Sequence, residues 1–400
     1  MKTRWISDTQ RWFLFLKTLG FAGLLMAANW HCNSVAARPD GAFFAQSFAE
    51  KTTPVDPQMA EALADYDRFF ELAMTTYAVP GAAVVIVKDT SVIFCKGYGR
   101  RALGSMELVD EHTVFRIGSL SKGFAGVLTG ILVAEKQLNW DDPVQRHFPE
   151  FKLRDAAQAR RMQLTHLLSH TTGLPYQAFT SLIEQGMDLR KMAAWLPKAG
   201  IYGKEGTIFR YQNIAFSLIE EVMRGATGQT YEQLLTEKIL RPAGMTDASL
   251  TFEGITQNPN HAEPTGRQRI TPYYYNTAPA GGVNASASDM GQWLKVLLGH
   301  RPDIVADSTL DEVFRPRIRT EDERRYFGEW PSPKTASYAL GWRVLACGGD
   351  TLVCHGGYVN GFKSEIAFDR RAGIGICVLF NAPSGLAGRC LPEFFSRLVR

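Results

Sequence analysis

The spacing of apolar residues changes between helical and strand-like periods along the chain, which predicts helices and strands in blocks. Residues 59–77 place apolar side chains three and four positions apart, as an amphipathic helix requires. Residues 81–87 and 91–98 are β-rich runs on either side of a short polar turn, which predicts a hairpin. Residues 119–282 return to mostly helical spacing, interrupted by Gly, Pro and Asn.

Strand character returns late in the chain, and a final helix is expected to follow it. Because sequence-adjacent strands joined by tight turns pair antiparallel, the two ends of the chain are expected to form one sheet. The pattern therefore predicts an α/β (α+β) fold, an antiparallel sheet flanked by terminal helices with a large helical insertion lobe. The late strands are predicted at residues 338–346, 351–355, 362–368 and 373–380, and the closing helix at 391–399; the sheet lobe comprises 59–118 and 283–400, and the helical lobe 119–282.

The first 37 residues have the pattern of an export signal. A basic start leads into the apolar stretch 19–30, and Val35-Ala36-Ala37 provides small residues at cleavage spacing. An uncleaved membrane anchor is the alternative, although Lys17 shortens the apolar run to signal-peptide length. We therefore expect a polar segment at 38–58 and a domain at 59–400 that are periplasmic or extracellular, with membrane contact only through an uncleaved N-terminus.

Composition and charge exclude several classes of protein. The chain has 400 residues, of which 45% are hydrophobic and 21% charged, as in globular proteins. Its 44 Lys and Arg residues oppose 40 Asp and Glu residues; residues 1–37 contain four of the former and one of the latter. The remaining chain has almost no basic surplus to neutralise phosphates, so we expect no nucleic-acid partner.

The cysteines do not have the spacing of a disulfide framework or a zinc site. Five remain after the signal segment, an odd number that is widely spread along the chain. Cys347 and Cys354 flank a turn-like Gly-Gly-Asp sequence and could form a bridge across a hairpin. Buried thiols are the alternative.

The clearest candidate chemistry lies at Ser119, which precedes a long apolar-periodic segment. If Ser119 opens that helix, Lys122 lies one turn further on the same face, within reach of the serine hydroxyl. A partly desolvated lysine amine can accept the proton of a serine that attacks a carbonyl. A helix-capping serine followed by a surface lysine is the structural alternative.

A serine and lysine site for acyl transfer needs further groups, and the sequence offers candidates for each. A second proton carrier is available at Tyr211, where Tyr211-Gln212-Asn213 precedes an apolar helix; the same Tyr-any-Asn spacing recurs at 274–276 and 358–360. The strand-like run 354–358 contains two glycines that would let a substrate approach its backbone N–H groups.

These segments resemble the serine β-lactamase and penicillin-binding protein superfamily, specifically its class C-like branch with DD-peptidase-like and esterase relatives. The resemblance spans roughly residues 65–383. It is carried in order by FRIGSLSK (115–122), LLSHTTGLP (167–175), YQN (211–213), PAGM (242–245), PAGGV (279–283) and HGG (355–357). The order favours Tyr211 over the other two tyrosines.

The resemblance implies a β-lactamase/transpeptidase-like fold and a role for each site residue. Ser119 would be the nucleophile, Lys122 its proton acceptor and Tyr211 the proton relay to the leaving group. Asn213 would hold a substrate amide, and the backbone N–H groups of Ser119 and Tyr358 would form the oxyanion hole. The implied function is an exported serine hydrolase that cleaves a D-alanyl peptide, ester or β-lactam and needs no cofactor.

The segment His355-Gly356-Gly357 departs from the Lys-Thr-Gly pattern of the β-lactamases in this branch. An unperturbed histidine is mostly neutral near pH 7, and Gly356 lacks a hydroxyl for a substrate carboxylate. We therefore expect peptide or ester hydrolysis rather than strong penicillinase activity. If the imidazolium of His355 attracts anionic substrates, turnover should favour mildly acidic pH.

The sequence also allows a recognition module without catalysis and a metal site. A non-catalytic module that recognises peptidoglycan fragments with the same fold is the alternative function. His166 and His170 are four residues apart on a predicted helix, as metal ligands can be, but no Glu follows His166 as in a metalloprotease. We expect no metal site there.

Overall fold

An eight-stranded antiparallel sheet contains strands from both ends of the domain. The computed structural model describes residues 56–320, 330, 335–347 and 350–398. The predicted export signal and nearly all of the predicted polar segment lie outside the described residues. The sheet order is β2-β1-β10-β9-β8-β7-β6-β5, and β3 and β4 form a separate pair. The strands are β1 (Gly81–Lys88), β2 (Ser91–Gly99), β3 (Phe115–Arg116), β4 (Asn284–Ala285), β5 (Ile318–Arg319), β6 (Thr335–Tyr338), β7 (Arg343–Cys347), β8 (Asp350–Val359), β9 (Phe362–Asp369) and β10 (Ile374–Phe380).

Pairing between β1 and β10 joins the strands from the two ends of the domain into one sheet. Val84 pairs with Val378 and Val85 with Cys377, in an antiparallel register that extends along both strands. Every residue of β10 is buried, because alternate side chains enter different cores on the two faces of the sheet. The predicted antiparallel sheet and its covering terminal helices are confirmed.

Sixteen α-helices lie within the described residues. The first and last lie on one face of the sheet, where Tyr66, Phe70 and Phe394 share a core with Val84 and Val378. The helices are α1 (Pro57–Thr76), α2 (Ser121–Ala134), α3 (Val144–His147), α4 (Ala156–Arg161), α5 (Leu164–Leu168), α6 (Thr180–Glu184), α7 (Leu189–Ala193), α8 (Asn213–Ser217), α9 (Ile219–Thr227), α10 (Tyr231–Leu235), α11 (Arg241–Ala243), α12 (Phe252–Thr256), α13 (Ala278–Gly281), α14 (Ala287–Leu297), α15 (Asp307–Phe314) and α16 (Leu386–Leu398).

The other face of the sheet packs against the helical part of the chain. Helix α2 is buried along most of its length and shares a core with the inward side chains of β1 and β10, such as Val85 and Leu379. Among the described residues, no helix combines the length and apolar character needed to cross a bilayer. The described residues thus form two cores, one on each side of the sheet.

The predicted strand 338–346 is wrong as a single element. The chain turns between β6 and β7, where the N–H of Ala339 donates to the carbonyl of Trp342 (2.7 Å). Gly341 in this turn has a φ of 86°, and a Cβ there would lie 2.3 Å from the carbonyl oxygen of Lys122. The turn packs against the start of α2, which an uninterrupted strand could not do.

The bridge considered between Cys347 and Cys354 is also excluded by the register. Cys347 pairs with Asp350, whereas Cys354 pairs with Arg343 four residues away along β7. Because a strand rises about 3.3 Å per residue, the two cysteines lie too far apart for a disulfide. Both are thiols in the structure.

Candidate active site

Ser119 lies in a single 3₁₀ turn, Gly118–Leu120, immediately before α2. The prediction that Ser119 opens the α-helix is therefore wrong by two residues. Gly118 has a φ of 52°, and a Cβ there would lie 2.8 Å from the backbone nitrogen of Tyr358. Ser121 fixes the turn, since its hydroxyl donates to the carbonyl of Gly118 (2.7 Å) and accepts the N–H of Val283 (3.1 Å).

Lys122 is fully buried beneath this turn and points its amine at the serine. Its Nζ lies 3.2 Å from Ser119 Oγ, 2.8 Å from Asn213 Oδ1 and 2.8 Å from the carbonyl oxygen of Ala280. Burial, and next the positive charge of Arg343, hold the pKa of Lys122 well below its usual value of 10.5. The structural alternative of a surface lysine is wrong.

The lowered pKa of Lys122 favours its neutral amine, and its three hydrogen-bond partners are compatible with that form. A neutral amine has two N–H donors and one lone pair. Asn213 Oδ1 and the Ala280 carbonyl can each accept one N–H at the two shorter distances. The lone pair is then directed at Ser119, whose O–H can donate to it. In this arrangement the amine is ready to accept the serine proton.

Tyr211 and Asn213 approach Ser119 and Lys122 from the helical lobe. The Tyr211 ring lies over the Lys122 amine, with Nζ 4.8 Å from the ring centroid. Asn213 begins α8 and donates from Nδ2 to Gln177 Oε1 (3.0 Å), while its Oδ1 accepts from Lys122. One Nδ2 proton of Asn213 remains for a substrate carbonyl.

The other two Tyr-any-Asn sequences serve mainly structural roles. Tyr274 and Tyr358 both face the same cavity as Ser119, but their asparagines hold loops in place. Asn276 donates to the carbonyls of Ile183 and Met187, and Asn360 accepts from Arg116.

The last residues of β8 lie opposite Lys122 and Tyr211, on the other side of Ser119. Along the edge that faces Ser119, this end of β8 has no neighbouring strand. Pairing with β7 stops at Cys354, whereas pairing with β9 continues to the Val359–Phe362 pair. Asn360 and Gly361, with φ values of 47° and 88°, form the two-residue turn between β8 and β9. In such a hairpin the closing pair exchanges hydrogen bonds and the next pair does not, so the Tyr358 N–H points away from β9 and toward Gly118.

Gly356 and Gly357 of β8 both line the cavity that Ser119 faces. A Cβ at Gly357 would lie 2.2 Å from the carbonyl oxygen of Ile117, so this glycine allows the backbone before Ser119 to approach. Gly357 therefore has a packing role in addition to its place in the cavity lining.

His355 is buried and held as a neutral imidazole. Its Nδ1 lies 2.8 Å from the carbonyl oxygen of Gly356, to which it must donate, so Nε2 accepts from the Tyr338 hydroxyl at 3.0 Å. Burial, and next the positive charge of Arg343, hold the pKa of His355 well below 6.5. The expected imidazolium, and the preference for mildly acidic pH derived from it, are therefore not supported by the structure.

Arg343 is the cation of this site that sequence reasoning missed. It is 6% exposed and lines the cavity, with its guanidinium carbon 5.8 Å from the Tyr211 ring centroid and 5.5 Å from that of Tyr338. Lys363 also lines the cavity but forms an ion pair with Glu365 at 2.8 Å. The β7–β8 register that brings Arg343 to the site has no local sequence signal.

A cavity of about 320 Å³ joins these groups. Seven of the eight predicted site residues line it, and Lys122 lies behind the wall. A larger cavity of about 520 Å³, beside Phe314 and Arg370, is lined by none of the predicted site residues. Among the described lining residues of the first cavity none is Asp or Glu, although Arg343 and Lys363 are present. Its lining also includes Tyr176, Gln177, Thr180, Tyr274, Ala280 and Gly281.

His166 and His170 do not share a helix face. Helix α5 ends at Leu168, and His170 follows it with a φ of 57°. His166 Nδ1 accepts the N–H of Gln163 (3.1 Å), whereas His170 Nδ1 accepts the N–H of Gln212 (3.1 Å). Within the described part of the chain, no group of three or more His, Cys, Asp or Glu residues is arranged to hold a metal ion.

Comparison with known proteins finds one matching family and similar relatives. The model of the family described as Beta-lactamase matches residues 66–397. Protein flp of Staphylococcus aureus strain N315 is 25% identical over 343 residues, covering 83% of this chain and 66% of flp. Unguisins hydrolase ungD' of Aspergillus campestris is 24% identical over 371 residues, covering 84% of this chain and 64% of that protein. The chain thus spans about two thirds of the length of these curated relatives.

Among solved structures, the octameric penicillin-binding protein homologue from Pyrococcus abyssi has the same fold. The TM-score is 0.72 at 23% sequence identity, and the match covers 84% of this chain and 77% of that chain. This similarity confirms the predicted arrangement of an antiparallel sheet with helices.

Proposed function

The chain belongs to the Beta-lactamase family, and on that premise we propose that it is a serine hydrolase that cleaves an amide or ester bond through a Ser119 acyl-enzyme. The observation that carries the proposal is the buried Lys122 amine, 3.2 Å from Ser119 Oγ at the wall of an open cavity. A relative named as a hydrolase supports the same reaction class.

The proposed reaction uses each group in turn. Ser119 Oγ attacks the substrate carbonyl carbon while its proton passes to the Lys122 amine. The backbone N–H groups of Ser119 and Tyr358 stabilise the oxyanion. The C–N or C–O bond then breaks, and the leaving atom takes a proton relayed through Tyr211. Water attacks the resulting ester, and the acid departs as Ser119 regains its proton.

The cavity favours a substrate whose leaving group carries a carboxylate. Its described lining has two cations and no acidic residue, and Arg343 lies beside Tyr211. His355 is neutral and Gly356 has no hydroxyl, so Arg343 takes the place that His355 was expected to fill. We therefore propose D-alanyl-type peptides or esters, such as peptidoglycan fragments, before β-lactam hydrolysis.

Export remains part of the proposal. It rests on the basic start, apolar stretch and small residues of positions 1–37. A peptidoglycan-derived substrate is outside the cytoplasmic membrane, which agrees with a periplasmic or extracellular enzyme. Detecting the domain in the periplasmic or culture fraction, with and without residues 1–37, tests this location.

The proposed function is tested by intact-protein mass spectrometry after incubation with a penicillin or a fluorophosphonate. We expect one adduct per chain with each reagent. Turnover is then compared for a D-alanyl-D-alanine peptide, a small ester and a chromogenic cephalosporin, with heat-unfolded protein as the control. Binding of peptidoglycan fragments without adduct or product would reject hydrolysis and indicate a recognition module.

Replacing Arg343 with glutamine is expected to weaken the binding of anionic substrates selectively. Hydrogen bonds to charged groups contribute about 1.5–3 kcal/mol, which corresponds to a roughly 10- to 150-fold rise in KM for a carboxylate-bearing peptide. A neutral ester should be much less affected. Lys363→Gln is the comparison variant, because Lys363 is the other cation of the cavity lining and lies on a different strand. Equal losses for both kinds of substrate would contradict this role of Arg343.

A further inference from the structure

One residue, His170, hydrogen-bonds the chain on both sides of Tyr211. The N–H of Arg210 donates to the His170 carbonyl at 2.9 Å. The N–H of Gln212 donates to His170 Nδ1 at 3.1 Å. Because the neighbours on either side of Tyr211 are fixed to the same residue, the position of the Tyr211 backbone depends on His170.

The imidazole of His170 also contacts the Tyr211 ring. The ring centroids are 4.1 Å apart with an interplanar angle of 36°. His170 is fully buried, and its φ of 57° is unusual for a residue other than glycine. A conformation of this kind costs about 1–3 kcal/mol and persists only where the surroundings enforce it. Here it directs both the carbonyl and the ring of one residue toward the Tyr211 segment.

The contacts of His170 require its neutral form. Since Nδ1 accepts the Gln212 N–H, the ring proton lies on Nε2. Burial is the largest cause that holds the pKa of His170 well below 6.5, and the positive charge of Arg343 acts in the same direction. The imidazole therefore keeps the Gln212 hydrogen bond through the neutral pH range without adding a charge beside Lys122.

We propose that His170 is a positioning residue, which holds the Tyr211 phenol in register with Ser119 and Lys122 through two flanking hydrogen bonds and a ring contact. The inference rests on the proposed function, in which Tyr211 relays the proton to the leaving group. It assigns a role within the LLSHTTGLP segment, which the mechanism otherwise leaves unused. His170 itself does not touch the substrate, because it is fully buried.

Two substitutions separate the two kinds of contact. His170→Asn keeps an acceptor near Nδ1 and tolerates the left-handed backbone, but removes the ring. His170→Phe keeps a ring and removes the acceptor. Phe209→Leu is the matched control, because Phe209 contacts the rings of His170 and Tyr338 from the same cluster. Thermal unfolding of each variant identifies those that fold.

The kinetic test is a double-mutant cycle with Tyr211→Phe. In the wild-type background, each His170 variant should lower kcat by up to roughly 100-fold with little change in KM, as expected for a misplaced catalytic group. In the Tyr211→Phe background, the same substitution should change kcat by less than about twofold. Equal losses in both backgrounds, or an equal loss in Phe209→Leu, would show that His170 has only a structural role.

A second measurement does not need activity, so it distinguishes failure of this inference from failure of the proposed function. Carbon-13 labelling of tyrosine Cζ gives an NMR signal for Tyr211 that is assigned by its loss in Tyr211→Phe. Both His170 variants should shift this signal, whereas Phe209→Leu should not. An unchanged Tyr211 signal in folded His170 variants would overturn the inference even if the protein hydrolyses nothing.

Discussion

Alanine at position 119 is expected to abolish the covalent adduct and to lower turnover by about a million-fold, the scale seen when a hydrolase loses its nucleophile. The loss should be this large because the other groups of the site act on the Ser119 hydroxyl oxygen, which the substitution removes. In the proposed mechanism, Lys122 accepts a proton from Ser119, and the Tyr358 N–H stabilises charge that forms only after Ser119 attacks. Mass spectrometry after incubation with a fluorophosphonate or a penicillin measures the adduct, and product formation measures turnover.

Ser121→Ala is the matched control for this experiment. Ser121 lies two residues away but is buried, with its hydroxyl between the Gly118 carbonyl and the Val283 N–H. Its loss should cost about 1–3 kcal/mol of stability by leaving the Val283 N–H without its acceptor, while the adduct still forms. An adduct of equal yield in Ser119→Ala would place the nucleophile elsewhere.

The parts of the site that are predictable from sequence are those determined by local spacing. Ser119 and Lys122 are three residues apart, so a turn followed by a helix brings them together even though the turn is 3₁₀ at first. The hairpin of β1 and β2 is predictable because a polar turn separates two apolar strands of similar length. One antiparallel sheet from the two ends of the chain is predictable in the same way, but the spacing does not indicate that β1 pairs with β10.

Other parts depend on registers and packing that local patterns do not contain. Arg343 reaches the cavity because β7 begins after the turn at Ala339–Trp342, and that turn forms against Lys122. The sequence pattern of 338–346 continues through this turn and gives no indication of the break. The neutral state of His355 likewise depends on Tyr338, which lies on a strand separated from β8 by β7.

The environment of a side chain can also give it a role that differs from the one its residue type suggests. A histidine near a substrate site suggests a switch close to pH 6.5, but for His355 desolvation and the positive charge of Arg343 work against protonation. The same physical effect acts on Lys122, where it produces a useful base. Burial beside Arg343 lowers the pKa of Lys122, so that its amine can accept a proton, and it keeps His170 and His355 neutral.

Methionine at position 122 is expected to lower the acylation rate by roughly 10²–10⁴-fold, the contribution typical of a positioned general base. Methionine keeps most of the buried volume of lysine, so the loss should reflect chemistry more than packing. Lys122→Arg is the informative companion, because arginine keeps the positive charge but cannot deprotonate in a protein. Rapid labelling with a fluorophosphonate measures the rate. Near-normal acylation in Lys122→Arg would show that charge, not proton transfer, is what the site needs.

The pH dependence of acylation provides a second test of Lys122 with a definite sign. Because the neutral amine is the base and its pKa is lowered, the wild-type rate should rise with pH through a midpoint well below 10.5. Arg343 contributes to that lowering, so Arg343→Gln should move the midpoint upward. The free energy of unfolding should also depend on the protonation of Lys122. At pH values between the pKa of Lys122 in the folded protein and 10.5, the unfolded chain binds more protons than the folded one. The wild type should therefore gain stability relative to Lys122→Met as pH rises through that window, and a pH-independent difference in melting temperature would contradict a depressed pKa.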